Sequence, residues 1–141
     1  ALCVVTPVSS TDRAALAAVR GFWEALGMRL AELSPDEHDA RLARTSHLPH
    51  FAASALASSI RPGDGPFCAT GWRDTTRVAS GDAAMWTEIA IANREALAAE
   101  LYRLSRRLQD AADCLTAADA DGVRRLLESG AARRGEVLRG E

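Results

Sequence analysis

A proline inside an otherwise uninterrupted helical pattern constrains this chain most. Ser34-Pro35-Asp36-Glu37 is a strong helix start. Ser34 can cap, Pro35 suits the first turn, where its missing N–H has no intrahelical partner, and Glu37 can close a capping box. The pattern predicts a helix from there to about Ile60, and Pro49 falls inside it. The proline nitrogen cannot donate to the carbonyl of Thr45, and its ring crowds that oxygen. A kink and a free acceptor are therefore expected beside the two imidazoles of Ser46-His47-Leu48-Pro49-His50.

The rest of the chain also reads mainly as helix. Hydrophobic residues make up 48% of the 141 positions and aromatics 5%, and β-branched residues are sparse after the first few. That mixture favours helix over sheet. The length suffices for one domain, 1–141, with no repeat and no internal boundary. Residues 2 to 6 read as a strand stopped by Pro7. Ser9, Ser10 and Thr11 offer cap oxygens for a helix to about Leu26, with Leu16, Val19, Phe22, Trp23 and Leu26 on one face. Met28, Leu30 and Glu32-Leu33 suggest a second short strand.

After the turn-rich stretch from Arg61 to Pro66, Trp72 to Val78 reads as a helical turn. Ser80-Gly81-Asp82 then starts a helix expected to reach Asp110. Leu97, Leu101, Leu104 and Leu108 give it a 4-3-4 seam, which suits packing along another helix in this chain or in a second copy. Thr116 or Asp119 is expected to cap a final helix through Leu126-Leu127, weakened at Gly122 and Gly130, with a polar tail fraying from Arg133. The expected fold class is all-α with one or two short N-terminal strand segments.

Charge and cysteines narrow the partners. The net charge is -2, and no basic stripe with interleaved aromatics marks a nucleic-acid surface. No apolar run approaches the roughly 20 residues that span a bilayer, and no signal-peptide pattern is present. Cys3, Cys68 and Cys114 lie far apart and form neither a zinc spacing nor a disulfide framework. A cytoplasmic location is expected on that basis. The chain opens at Ala1 directly into an apolar run, and a strand there needs a partner for its backbone groups. A piece of a longer protein is the expectation.

Several side chains can bind or react. His47 and His50, three apart, share a helix face, and read either as one partly buried core histidine beside a surface residue or as ligand groups. The H-x-x-H spacing lacks the glutamate and the i,i+4 geometry of a zinc protease, and His38 is nine residues upstream, so no metal is expected. Arg73 and Arg77 flank Asp74. They read as a solvated turn with an Asp74–Arg77 pair or as a carboxylate clamp, since a guanidinium grips a carboxylate with two parallel hydrogen bonds. Trp86 reads as core or as a site wall. No G-x-S-x-G, no paired catalytic Cys/His and no G-x-G-x-x-G following a strand occurs, so no catalytic or cofactor-binding residue is expected in this chain.

The order and spacing of these pieces resemble the C-terminal domain of prephenate/arogenate dehydrogenases. The resemblance rests on Val4-Val5-Thr6-Pro7, Trp23-Glu24-Ala25-Leu26-Gly27 and L-S-P-x-E-H-D from Leu33 to Asp39. It continues through S-H-L-P-H, G-x-R-D-T-T-R from Gly71 to Arg77, Met85-Trp86, and A-N-R-E-A-L from Ala92 to Leu97. It implies a helical domain of the 6-phosphogluconate dehydrogenase C-terminal type that binds substrate and forms a homodimer. NAD or NADP is then held by an N-terminal Rossmann domain absent from this chain. It also implies oxidation of prephenate or arogenate in tyrosine biosynthesis, with tyrosine as a possible inhibitor. Arg77 is implied to bind the ring carboxylate and His50 to face the substrate side chain. Trp86 and His47 are implied to line the site, with Asp74, Arg73 and Ser46 supporting it. The competing reading, from a different class, is a stand-alone helical dimerisation or ligand-sensing module.

Overall fold

The structure, a computed structural model, describes residues Ala1 to Gly140; Glu141, at the end of the polar tail, lies outside the described residues. The chain forms two units, Ala1–Glu100 and a second beginning at Leu101. In the first, β1 (Leu2–Val5) pairs in parallel with β2 (Arg29–Glu32), Leu2 lying opposite Arg29 and Val5 opposite Glu32. Parallel strands need a crossover, supplied by α1 (Arg13–Ala25). Its cap is Asp12, whose carboxylate accepts from the Ala15 N–H at 2.7 Å, and not Ser9, Ser10 or Thr11 as expected. The Thr11 hydroxyl instead accepts from the Val8 N–H at 2.9 Å and folds the approach to the helix.

The helix read from Ser34 to Ile60 divides around a widened turn. Its start is as the sequence implies. The Ser34 hydroxyl accepts from the Glu37 N–H at 3.2 Å, and the Glu37 carboxylate accepts from the Ser34 N–H at 3.0 Å. Those bonds to Ser34 hold the Glu37 carboxyl below its ordinary pKa. After α2 (Pro35–Leu42), residues Ala43–His47 form a turn of π-helix, and α3 (Leu48–Ser58) follows. The Leu48 N–H donates to the Ala43 carbonyl, five residues back rather than four. The extra residue in the turn accommodates the ring of Pro49, which a regular α-helix has no room for. The expected kink is thus a widened turn.

A short 3₁₀ turn (Gly65–Phe67) leads to α4 (Thr70–Thr76) and a second 3₁₀ turn (Arg77–Ser80), both packed on α3. The helix expected from Ser80 to Asp110 is two helices, α5 (Ala83–Ala92) and α6 (Arg94–Thr116). Asn93 separates them at φ -112° and ψ 32°. It leaves helical geometry because its side chain makes tertiary hydrogen bonds with α2 and the widened turn. The buried hydrophobic residues of the first unit are Ala43, Ala53 and Leu97, all small or medium in size. Val19, Phe22 and Leu26 of the α1 stripe remain exposed, while Leu16 and Trp23 are half-buried.

The second unit holds the rest of α6 and α7 (Ala120–Arg139). Here Leu101 and Leu104 of the leucine seam are half-buried and Leu108 is exposed. Asp119 is the cap of α7, accepting from the Gly122 N–H at 2.9 Å. The helix does not stop at Leu127 and the tail from Arg133 does not fray: it runs to Arg139 and closes on Gly140 in the left-handed region at φ 82°. Alanine and arginine are good helix formers, and i,i+3 pairs join Arg124 to Asp121 and Arg133 to Glu136.

Two glycines of α7 separate propensity from packing. A Cβ at Gly122 would fall 2.3 Å from the Asp119 carboxylate and 2.7 Å from Cys114 Sγ, whereas Gly130 faces open space. Gly122→Ala should destabilise the fold by about 1–3 kcal/mol, because crowding outweighs the helix-propensity gain. Gly130→Ala should stabilise it by up to about 1 kcal/mol. Urea denaturation of both variants checks the opposite signs.

Candidate functional site

The widened turn fixes where the two histidines point. His47 ends it and His50 lies in the first turn of α3, and both are buried, with 7% exposure each. The His50 ring stacks on the indole of Trp86 from α5, with centroids 3.7 Å apart and planes 12° from parallel. His47 meets the same indole edge-on, at 6.1 Å and 82°. One tryptophan therefore contacts both imidazoles, His50 in a parallel stack and His47 in a T-shaped arrangement.

The sequence before α5 makes that stack possible. Asp82 caps α5 by accepting from the Met85 N–H at 2.8 Å, which sets the rotation of the helix and so of Trp86. Gly81 is required by close approach. A Cβ there would lie 2.6 Å from Trp86 Nε1 and 2.9 Å from His50 Cε1. Beside the stack lies a cleft of about 200 Å³, walled by His50, Phe51, Ser54, Gly81, Trp86 and Thr87. An apolar cavity of about 150 Å³ accepts a benzene ring, so one six-membered ring fits.

His47 has polar neighbours behind the stack. The Asn93 side-chain nitrogen donates to the Asp39 carbonyl at 2.8 Å and lies 3.3 Å from His47 Nδ1. Asp39 also holds His38, its carboxylate 2.9 Å from His38 Nδ1. Burial lowers the pKa of His47; the Asp39 carboxylate opposes that shift and His38 adds to it. The turn is tied further by Arg44, whose guanidinium lies 3.7 Å from the buried carboxylate of Glu100 on α6.

The structure brings His47, His50 and Trp86 together. Ser46 sits half-buried in the widened turn. Arg73 and Asp74 of α4, and Arg77 at the start of the following 3₁₀ turn, are exposed and lie outside the lining of the cleft. No Asp74–Arg77 ion pair forms among the described residues. The buried residue of this segment is Thr76, whose hydroxyl donates to the Trp72 carbonyl at 2.8 Å. The Trp72 indole N–H is buried without an acceptor among the described residues.

Gly81, Asn93 and Asp39 are the site residues that sequence reasoning missed. Gly81 and Asp82 are legible only as a helix start, and Asn93 only as part of A-N-R-E-A-L. An asparagine in an apolar helical run is the signal that would have found the break.

No group of three or more His, Cys, Asp or Glu among the described residues is placed to hold a metal. Nor is any described helix long and apolar enough to cross a membrane. A dinucleotide does not fit the strand–turn–helix unit from β1 to α1. Its turn contains no glycine, and the Asp12 carboxylate occupies the helix N-terminus where a pyrophosphate would bind.

Comparison with known proteins identifies the family. The family described as "Prephenate dehydrogenase, dimerization domain" matches residues 34–129. The chain is 33% identical over 101 residues to prephenate dehydrogenase of Bacillus subtilis, covering 67% of this chain and 27% of that protein. It is 31% identical over 125 residues to cyclohexadienyl dehydrogenase of Zymomonas mobilis, covering 84% and 43%. Among solved structures it superposes on prephenate dehydrogenase from A. aeolicus in complex with hydroxyphenyl propionate and NAD+, with a TM-score of 0.86 and 27% identity, covering 96% of this chain and 50% of that one. Arogenate dehydrogenase of Synechocystis gives a TM-score of 0.83 at 28% identity, covering 95% and 51%. The chain thus spans about half the length of these structures and less of the curated relatives. It belongs to the prephenate dehydrogenase family, and residues 34–129 are the family's dimerization domain.

Proposed function

We propose that this chain is the substrate-binding and dimerisation half of an NAD(P)-dependent prephenate or arogenate dehydrogenase of tyrosine biosynthesis. The observation that carries this reading is the ring-sized cleft against the His50–Trp86 stack, close in sequence to an arginine-bearing turn. The A. aeolicus neighbour was crystallised with hydroxyphenyl propionate, a phenol ring bearing a carboxylate side chain, and with NAD+. A site for such a ligand needs an aromatic slot and a fixed cation.

Prephenate has a six-membered ring and two carboxylates. In this proposal the ring lies against Trp86 and His50, Arg77 binds the ring carboxylate and His50 faces the side chain. His47, Arg73, Asp74 and Ser46 support those groups. A nicotinamide cofactor, when bound in the full-length enzyme, would supply the acceptor for the hydride lost from the substrate ring. Loss of CO₂ then aromatises prephenate to 4-hydroxyphenylpyruvate, or arogenate to tyrosine. What this chain contributes is alignment and charge neutralisation, which lower the barrier without a covalent step. Tyrosine, an aromatic amino acid of similar shape, is the natural competitor for the same slot.

Dimerisation follows from what each unit leaves uncovered. In the first unit Phe22 and Leu26 of α1 are 59% and 61% exposed, and in the second Tyr102, Leu115 and Leu138 are each about 70% exposed. Exposed aromatic and leucine side chains of this size are groups that a second copy would cover. Sedimentation equilibrium should return twice the 15.0 kDa chain mass; a monomer at micromolar concentration would count against the proposal.

In the full-length enzyme, Arg77→Ala should raise KM for prephenate or arogenate by 30-fold or more and leave KM for the nicotinamide cofactor unchanged. That corresponds to about 2 kcal/mol, the size of a lost hydrogen bond to a charged group. Equal effects on both ligands would contradict the assignment. Gly81→Ala should push Trp86 off His50, changing tryptophan emission and weakening substrate binding with the helical circular dichroism preserved. His50→Asn should likewise weaken substrate or tyrosine binding in a folded protein; global unfolding would mark His50 as a core residue instead.

A further inference from the structure

We infer that Asn93 is a positioning residue, whose side-chain amide holds the buried His47 ring in a single orientation as the neutral Nε2–H tautomer. The argument is one of donor and acceptor counting. A backbone carbonyl only accepts, so the 2.8 Å contact to the Asp39 carbonyl identifies the Asn93 atom as its NH₂ nitrogen. That group has a second hydrogen, and His47 Nδ1 is 3.3 Å away. Nδ1 must therefore present its lone pair, which places the ring proton on Nε2.

The backbone is shaped to make this contact. Asn93 leaves helical geometry between α5 and α6, and its carbonyl still accepts from the Leu97 N–H at 3.0 Å, so the break does not cost α6 its first hydrogen bond. Trp86 closes the other side of the ring edge-on. The charged and titratable groups around His47 are His38 and Asp39 of α2, His50 of α3, and the Arg44–Glu100 pair that links the turn to α6. Burial, the dominant influence, favours the uncharged ring and agrees with the proton count. His47 then offers one donor and no charge. The inference stands on this geometry and does not depend on the substrate assignment.

Long-range ¹H–¹⁵N correlation NMR of the chain tests it without any substrate, so its failure and that of the substrate assignment are distinguishable. There are three histidines, and His38→Gln and His50→Asn spectra assign the third. The expected spectrum shows His47 protonated at Nε2 and titrating below the ordinary value of about 6.5. Asn93→Asp, which replaces the donor with a carboxylate, should move the proton to Nδ1 and raise the pKa by one unit or more. Proton occupancy of Nδ1 in the unsubstituted chain, averaged tautomers there, or an Asn93→Asp spectrum unchanged at His47 would overturn the inference. If Asn93→Asp does not fold, the spectrum of the unsubstituted chain alone decides.

Discussion

The hydrogen bond from the Leu48 N–H to the Ala43 carbonyl is the constraint on which the site depends. Adding one residue to a helical turn rotates everything that follows by about 100° relative to a continuous α-helix. Pro49 makes a regular turn unfavourable, and the widened turn answers it with one hydrogen bond of a different span. His47 and His50, on either side of the proline, consequently reach one indole from α5. A proline-driven wide turn is a small local cost that yields a fixed pair of imidazoles, and such turns recur at functional sites.

The partners of that turn explain why it stays in place. Asn93 ties it to α2 and to the start of α6, and Arg44 reaches the buried carboxylate of Glu100. The hydrophobic contribution is modest, since the buried apolar residues of the first unit are two alanines and one leucine. A site held by polar ties over a thin core needs further surface covered to become dry and rigid. The exposed aromatic and leucine side chains of α1, and separately those of α6 and α7 in the second unit, are suited to that cover.

Much of this was legible in the residues. The capping box at Ser34 and Glu37, the strand before Pro7 and the disturbance at Pro49 are local chemistry, and they occur where the sequence puts them. The joining of His47, His50 and Trp86 was legible only through resemblance, because spacing along a helix does not reveal which element faces it. Three features were not legible. Asp12 rather than Ser9, Ser10 or Thr11 caps α1, since several oxygens competed within four residues. Asn93 breaks a long apolar run because its amide is worth more in tertiary hydrogen bonds than its backbone is in a helix. The helix past Arg133 persists because alanine and arginine propensity and i,i+3 pairing outweigh its three glycines. In the last two cases a longer-range or cumulative term overrode a correct local signal.

The most direct test of the account is the NMR signature of the stack that the widened turn creates. An indole face 3.7 Å from the His50 ring should shift the His50 ring protons strongly upfield and give nuclear Overhauser contacts to Trp86. Ring protons at unstructured values, with no contact to Trp86, would mean that the turn does not bring these residues together, and the site described here would not exist in solution.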